Sequence, residues 1–280
     1  MLVRNHTLEV KIKKITVLGI SFNVLDFGSI DEYNLWEDIS NGIWEPQTFK
    51  ILKTFVDKSD FVFEVGIDAS QTTLFTAEIA GGVIALDPIP WSVSNLNSCV
   101  DINPGFRKKV VALHGALSNT RGQIMFTKGS KLFDDVHFSV RDPKVLVNTY
   151  LISDIEEIFQ NEVTFINMDI EGGEYICLPA MRDWFVIRKP KLLLSLHPGF
   201  LLKKTNRINP LGYFRRIIKQ IRLFNSIKVF PYIYDVITGN KISALSLFKV
   251  KFLRGREGKD LQILCSFTAV SLNKTDNYSL

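Results

Sequence analysis

"FVFEVGIDASQTTLFTAEIAGGVIALDPIP", residues 61–90, reads as an apolar strand, a glycine turn, a helix and a second strand closed by Asp87. Neither apolar run alternates with polar residues, so both strands are expected to be buried on two faces, as in a parallel sheet covered by helices. A dinucleotide-binding turn needs glycines at set spacings so that the backbone can approach a pyrophosphate. Gly66 is present, but the next two glycine positions hold Asp68 and Gln71. A pyrophosphate cradle is therefore disfavoured. One glycine still admits a nucleoside without phosphates, and Asp87, at the end of the following strand, is placed to accept from ribose hydroxyls. Taken alone, an aspartate followed by proline serves equally well as a strand terminator.

Outward from this unit, "KVVALH" (109–114), "VTFINMD" (163–169) and "KLLLSLH" (191–197) repeat the pattern of a short apolar run ending in a polar residue. Helix-compatible stretches at 71–80, 91–100 and 173–186 lie between them, which predicts an open doubly wound sheet with its ligand site at the strands' carboxyl ends. A basic amphipathic stretch, 209–224, precedes "IKVFPYIYDV" and "LQILCSFTAV", two late strands expected to be antiparallel, with a turn at 256–260. Before the sheet, residues 8–24 suggest a hairpin, and "NGIWEPQTFKILKTFV" places Trp44, an anchoring aromatic or a lid on a cofactor, and Pro46 ahead of a helical pattern. The expected division is an N-terminal extension or cap, 1–58, and one α/β domain, 59–280.

The chain has 280 residues, of which 46% are hydrophobic and 22% charged, an ordinary globular balance that argues against disorder. Its net charge of +5 is spread over small groups such as Arg107-Lys108-Lys109, Lys203-Lys204 and Arg215-Arg216. No nucleic-acid-binding motif accompanies them, so no nucleic-acid partner is expected, while an anionic substrate or membrane surface stays open. The first residues contain no apolar run of signal-peptide or membrane-spanning length. Cys99, Cys177 and Cys265 are widely spaced in apolar surroundings and read as buried thiols, which together with the missing leader points to the cytoplasm. Nothing in the sequence sets the oligomeric state.

Four segments carry a resemblance: "FVFEVGIDASQTTLF", "VIALDPIP", "VVALHGALSN" with Gly122, and "INMDIEGGEY", to which "LLLSLHPG" adds a fifth strand end. In this order and spacing, over roughly residues 43 to 199, the chain resembles the FkbM-type S-adenosylmethionine-dependent methyltransferases. The departures are Glu64 for the opening aspartate, Asp68 for the usual asparagine, Ser70 for the second glycine of the turn, and Ser195 for a glutamate. The resemblance implies a class I methyltransferase (Rossmann-like) fold, mostly parallel with a C-terminal antiparallel strand, and S-adenosylmethionine as cofactor. Glu64 and Gly66, with Asp68 and Ser70 in the same turn, would border the methionine moiety. Asp87 would take the ribose hydroxyls, and Ala116 and Leu117 would lie along the adenine.

Methyl transfer from a sulfonium mainly requires a nucleophile held in line, and an alcohol nucleophile must also lose a proton. Asp169, Glu171 and His197, at strand ends, are the catalytic candidates. His197 suits a base or a structural strand end equally. Glu174 reads as a helix first-turn acid, and His114 as a partner for a local backbone group. No spacing demands a metal ion. The expected activity is O-methylation of a hydroxyl on a sugar, glycan or secondary metabolite. The alternatives are N-methylation, a non-catalytic relative binding a nucleoside or a glycan-assembly partner, and an NAD-dependent oxidoreductase.

Overall fold

The computed structural model describes residues 10–27, 34–127, 144–197, 210–243, 245 and 261–272. Strands β1 (Lys11–Val17) and β2 (Ile20–Asp26) form an antiparallel hairpin, followed by α1 (Leu35–Ser40) and α2 (Pro46–Phe55). The body then runs β3 (Phe61–Val65), α3 (Gln71–Ile79), β4 (Gly82–Asp87), α4 (Pro90–Asp101), β5 (Val110–His114), β6 (Ala116–Leu117) and β7 (Gly122–Thr127). It continues through β8 (Lys144–Tyr150), α5 (Ile152–Phe159), β9 (Phe165–Met168), α6 (Glu174–Arg188), β10 (Lys191–Leu196), α7 (Pro210–Ile227), β11 (Tyr232–Asp235) and β12 (Leu261–Ser266).

Seven strands form the main sheet in the order β5-β4-β3-β9-β10-β12-β11. β5, β4, β3, β9 and β10 are mutually parallel, and β12 is antiparallel to both of its neighbours. This is the doubly wound class I methyltransferase arrangement, with one antiparallel strand inserted near the edge and an N-terminal extension. Winding reverses between β3 and β9, and a ligand crevice belongs at their carboxyl ends.

Alternation along each strand divides the core between the two sheet faces. Val62, Val83, Ala85, Phe165 and Leu193 face α3 and α4, and the same cluster takes in Ile15, Phe22 and Val24 of the hairpin and Phe49 and Leu52 of α2. Phe63, Ile84, Leu86, Ile166 and Met168 face the other way, onto Ile155, Phe159, Leu178, Phe185, Leu223 and Ile227 of α5, α6 and α7. Because the extension covers its outer side, α3 is buried from Gln71 to Ala77. Its threonines then serve an internal purpose. Thr72 and Thr76 Oγ1 donate to the wholly buried Glu64 carboxylate (3.4 and 3.2 Å), which also accepts from Asn167 Nδ2 at 2.9 Å. Glu64 thus braces β3 to α3 and β9.

The strands and helices expected from the apolar runs are all present within a few residues, and the late strands are antiparallel. The three cysteines are buried and unbridged. The turn at 256–260, Pro198-Gly199 and Lys203-Lys204 lie outside the described residues. A second sheet, β6-β8-β7, has no counterpart among the apolar runs of the sequence. Its strands are partly exposed, with Met125 opposite Leu146 at 56% and 53%, so their pattern lacks the apolar run of a buried strand. Among the described residues no helix is long and apolar enough to cross a membrane.

Gly66 follows β3 with φ +98°, and a Cβ there would lie 2.1 Å from the carbonyl oxygen of Asp169. Gly66→Ala should therefore cost about 2–5 kcal/mol in chemical denaturation. Gly105→Ala, with open space around its Cβ position, should change little. Equal effects in the two variants would contradict the close approach.

Burial also raises the Glu64 carboxyl to about 7, against three hydrogen-bond donors that lower it. Folding then favours the protonated form, so the group's contribution is complete below the unfolded value of about 4.3 and is lost as pH rises through about 7. Stability should fall across this window by up to about 4 kcal/mol from Glu64 alone. Glu64→Gln should flatten that slope in urea midpoints measured from pH 5 to 8. An unchanged slope would show that Glu64 does not titrate there.

Candidate active site at the carboxyl ends of the parallel strands

Backbone bonds assemble the site before any side chain enters it. Gly66 N–H donates to Leu86 O (3.0 Å), Asp169 N–H to Val65 O (2.9 Å) and Gly115 N–H to Asp87 O (3.0 Å), so the ends of β3, β4, β5 and β9 meet. Asp87, 5% exposed, faces the Gly66 turn: Oδ2 accepts from Ile67 N–H (2.8 Å) and Asp68 N–H (3.4 Å), and Oδ1 from Ile89 N–H (2.7 Å). Burial raises its carboxyl despite these donors. A carboxylate offers about four lone-pair directions, so three backbone donors leave room for one more.

Around the same turn, Ser70 is wholly buried with φ +76°, and its Oγ accepts from Asn95 Nδ2 at 3.2 Å. Asn95 Nδ2 also donates to Ala69 O (3.1 Å), and Gln71 Nε2 to the exposed Asp68 (3.2 Å). Carbonyl and carboxylate partners can only accept, which fixes the orientation of both amides. Asn95 Oδ1 and Gln71 Oε1 are buried and accept from no group among the described residues. Two acceptors thus border the turn with capacity to spare.

Ala116 and Leu117 differ in placement. Ala116 is partly buried, next to the residue bonded to Asp87, whereas the Leu117 side chain enters the core and its carbonyl accepts from Cys177 Sγ (3.0 Å). Glu64 is enclosed beneath the turn by its three side-chain bonds.

On the other side of the crevice, His197 Nε2 lies 3.4 Å from Asp169 Oδ1. Glu174 is wholly buried; its Oε1 accepts from His197 N–H (3.0 Å) and stands 3.9 Å from Nδ1, and its Oε2 accepts from Gly172 N–H (2.6 Å). The sequence assigns Glu174 to the helix start, and it does begin α6, but it also fixes the strand end that carries His197. Asp169 keeps 41% of its side chain exposed, yet surrounding protein raises its carboxyl. Desolvation leads, Glu171 and Glu174 add to it, and His197 and a bond from Ser195 oppose it. Glu171, exposed and left-handed at φ +47°, sits on the same turn.

Glu45 is the site residue that sequence reasoning misses. It precedes α2, accepts from Thr48 Oγ1 (2.9 Å), and lies within electrostatic range of Asp169, His197 and Asp68. The residue reaches solvent, but desolvation of the carboxyl, then Asp169, raise it to about 7. The only sequence signal was its place in Trp44-Glu45-Pro46, where Trp44 packs on Phe49 with ring centroids 6.1 Å apart. His114 Nε2, by contrast, pairs with Pro88 O at 3.1 Å, as its local reading predicts.

Glu45, Asp68, Asp169 and Glu171 thus form an acidic rim at one edge of a chain whose net charge is +5, with Asp87 and Glu174 buried behind it. Such a rim favours a ligand carrying positive charge. Among the described residues no cluster of three or more His, Cys, Asp or Glu is arranged to hold a metal ion.

No protein-family profile matches the chain, and no curated protein matches it. Similar solved structures include the FkbM methyltransferase of Methylobacillus flagellatus, at 20% identity and TM-score 0.36 over 50% of this chain and 33% of that one. They also include an O-methyltransferase of Bacillus cereus in complex with SAH, at 13% identity and TM-score 0.41 over 79% of both chains. An rRNA methylase of Streptococcus thermophilus aligns at 8% identity and TM-score 0.39 over 86% of this chain and all of that one. The chain spans about a third of the length of the first of these. The strand order itself, with β12 antiparallel to both neighbours, is that of the class I methyltransferase (Rossmann-like) fold.

Proposed function

We propose that the protein is an S-adenosylmethionine-dependent methyltransferase acting on a hydroxyl of a sugar, glycan or secondary metabolite. The observation that carries this reading is the acidic rim at the carboxyl edge of a class I methyltransferase sheet, which suits a cofactor bearing a sulfonium and an ammonium group. The residues present fit that cofactor. Asn95 Oδ1 and Gln71 Oε1 offer acceptors to an ammonium. Asp87 has capacity for one more donor, such as a ribose hydroxyl, through a charge-assisted bond. Ala116, beside the end of β4, is the residue for the adenine. Residues 1–58 would act as the cap, with Glu45 at its edge over the domain from 59 to 280.

When bound, S-adenosylmethionine supplies a methyl group on a good leaving group. The chain's task is to orient the acceptor and take its proton. Asp169 and His197 would do this as one unit, Asp169 presenting the exposed carboxylate and the imidazole holding the charge in place. The raised Asp169 carboxyl makes it a stronger base than a free aspartate. Glu171 contributes negative potential from the same turn. A second reading, a non-catalytic nucleoside-binding relative, draws on Ser70: its buried hydroxyl, tied to Asn95, stands where the resemblance expects a glycine.

Titration with S-adenosylhomocysteine by calorimetry should give micromolar affinity, no heat with NAD, and at least about tenfold weaker binding in Asp87→Asn. Absence of binding by a protein with a native circular dichroism spectrum would overturn the proposal. His197→Gln should keep that affinity while transfer of labelled methyl to a found acceptor falls about 10²–10⁴-fold. Binding without turnover across hydroxyl, amine and RNA acceptors would favour the second reading.

A further inference from the structure

Helix α7 holds four basic residues, Arg215, Arg216, Lys219 and Arg222, and no acid in its 18 positions. Its inner side is unusual for a helix that only covers a sheet: Gln220 and Ser226 are buried beside Leu223 and Ile227. Large apolar side chains face outward instead. Phe214 is 62% exposed and Ile221, two turns on, 40%, with the partly buried Ile218 between them on the same stripe. Arg215, Lys219 and Arg222 are exposed along one flank of that stripe.

Helix α6 packs against α7 and adds to the outer layer. It exposes Ile176, Val186 and Ile187, the last at 74%, and ends in Arg188 and Lys189. Its one exposed acid, Asp183, is bonded to Arg182, while Arg188 is paired with Glu156 and Glu162. The two helices therefore present exposed apolar side chains among an excess of cations.

We propose that this α6–α7 face docks the protein on a membrane surface bearing anionic phospholipid. Cations beside protruding Phe and Ile are what the lipid interface accommodates, since acyl chains receive the apolar groups and headgroups the charges. A nucleic acid would engage the cations but leave the aliphatic side chains without a use. Topology gives the docking a direction. α7 runs from the carboxyl end of β10 toward the start of β11, which points the same way as β10 through β12. Phe214 and Arg215 consequently lie toward the edge that carries Asp169 and His197, so a docked protein would hold its candidate site near the lipid headgroups.

Co-sedimentation of the full chain with vesicles tests this independently of cofactor binding. Phosphatidylcholine–phosphatidylserine vesicles should retain the protein, phosphatidylcholine alone should not, and raised salt should release it. Two variants should each weaken binding: Phe214→Ser with Ile221→Ser about tenfold, and Arg215→Glu with Lys219→Glu and Arg222→Glu at least about a hundredfold. All five side chains are exposed, so circular dichroism should show native folds. No retention on anionic vesicles, or retention unaltered in both variants, would overturn the proposal. Retention lost in the charge variant but kept in the Phe214/Ile221 variant would overturn the lipid assignment, as would binding of a labelled single-stranded RNA without vesicle binding. Loss of S-adenosylhomocysteine binding would bear on the methyltransferase reading and not on this one.

Discussion

The approach of the Asp169 carbonyl to Gly66 is the constraint on which the carboxyl edge depends. A residue with a Cβ at 66 would meet that oxygen at 2.1 Å, so β3 and β9 can turn away side by side only because the position is glycine. The neighbouring bond from Asp169 N–H to Val65 O fixes the register, and Asp87 then ties the turn to the end of β4 through two of its backbone donors, Ile67 and Asp68. The crevice is shaped by main chain, and side chains inherit their positions from it. This explains the presence of a single glycine: its first duty is to a neighbouring strand, not to a phosphate.

Three buried carboxylates extend that order outward. Glu64 braces β3 to α3 and β9, Asp87 holds the turn, and Glu174 holds the strand end at His197. Each is held by donors that offset part of the cost of taking a charge from water. The charge of Glu174 is felt nearer the surface as well. Burial lifts the Asp169 carboxyl and Glu171 and Glu174 add to it, and burial lifts Glu45 with Asp169 adding to it. A proton gained at one group therefore changes the others.

The parts of the fold legible in the sequence are those that composition dictates. Runs such as 83–86 are apolar at every position because helices cover both sides, and the polar residues that close them, Asp87 in this case, mark where the chain leaves the sheet. The β7–β8 pair is obscured for the opposite reason, since residues 122–125 of β7 are all exposed and only Val147 and Thr149 of β8 are buried, so polar and apolar residues mix. Asp169 and His197 could be named from strand ends, and the structure does bring them together. Glu45 and Asn95 could not be assigned, and Glu174 could be placed at a helix start but not against His197, because these contacts join distant segments. Glu64 is a different case: resemblance places it beside a cofactor, whereas its oxygens face Thr72, Thr76 and Asn167.

The inserted strand β12 has a consequence for the order of assembly. Among the described residues β11 bonds only to β12 within the sheet, and β10 has β12 on its outer side. Gln262 Nε2 further links this strand to Thr48 Oγ1 (2.8 Å), more than two hundred residues earlier. During synthesis, β10 is left with an open edge and β11 with no partner until residues 261–266 emerge from the ribosome. The sheet is therefore completed from its interior by a strand made after both of its neighbours, and a nascent chain stalled before Leu261 exposes an unpaired strand edge of the sort that recruits chaperones or aggregates.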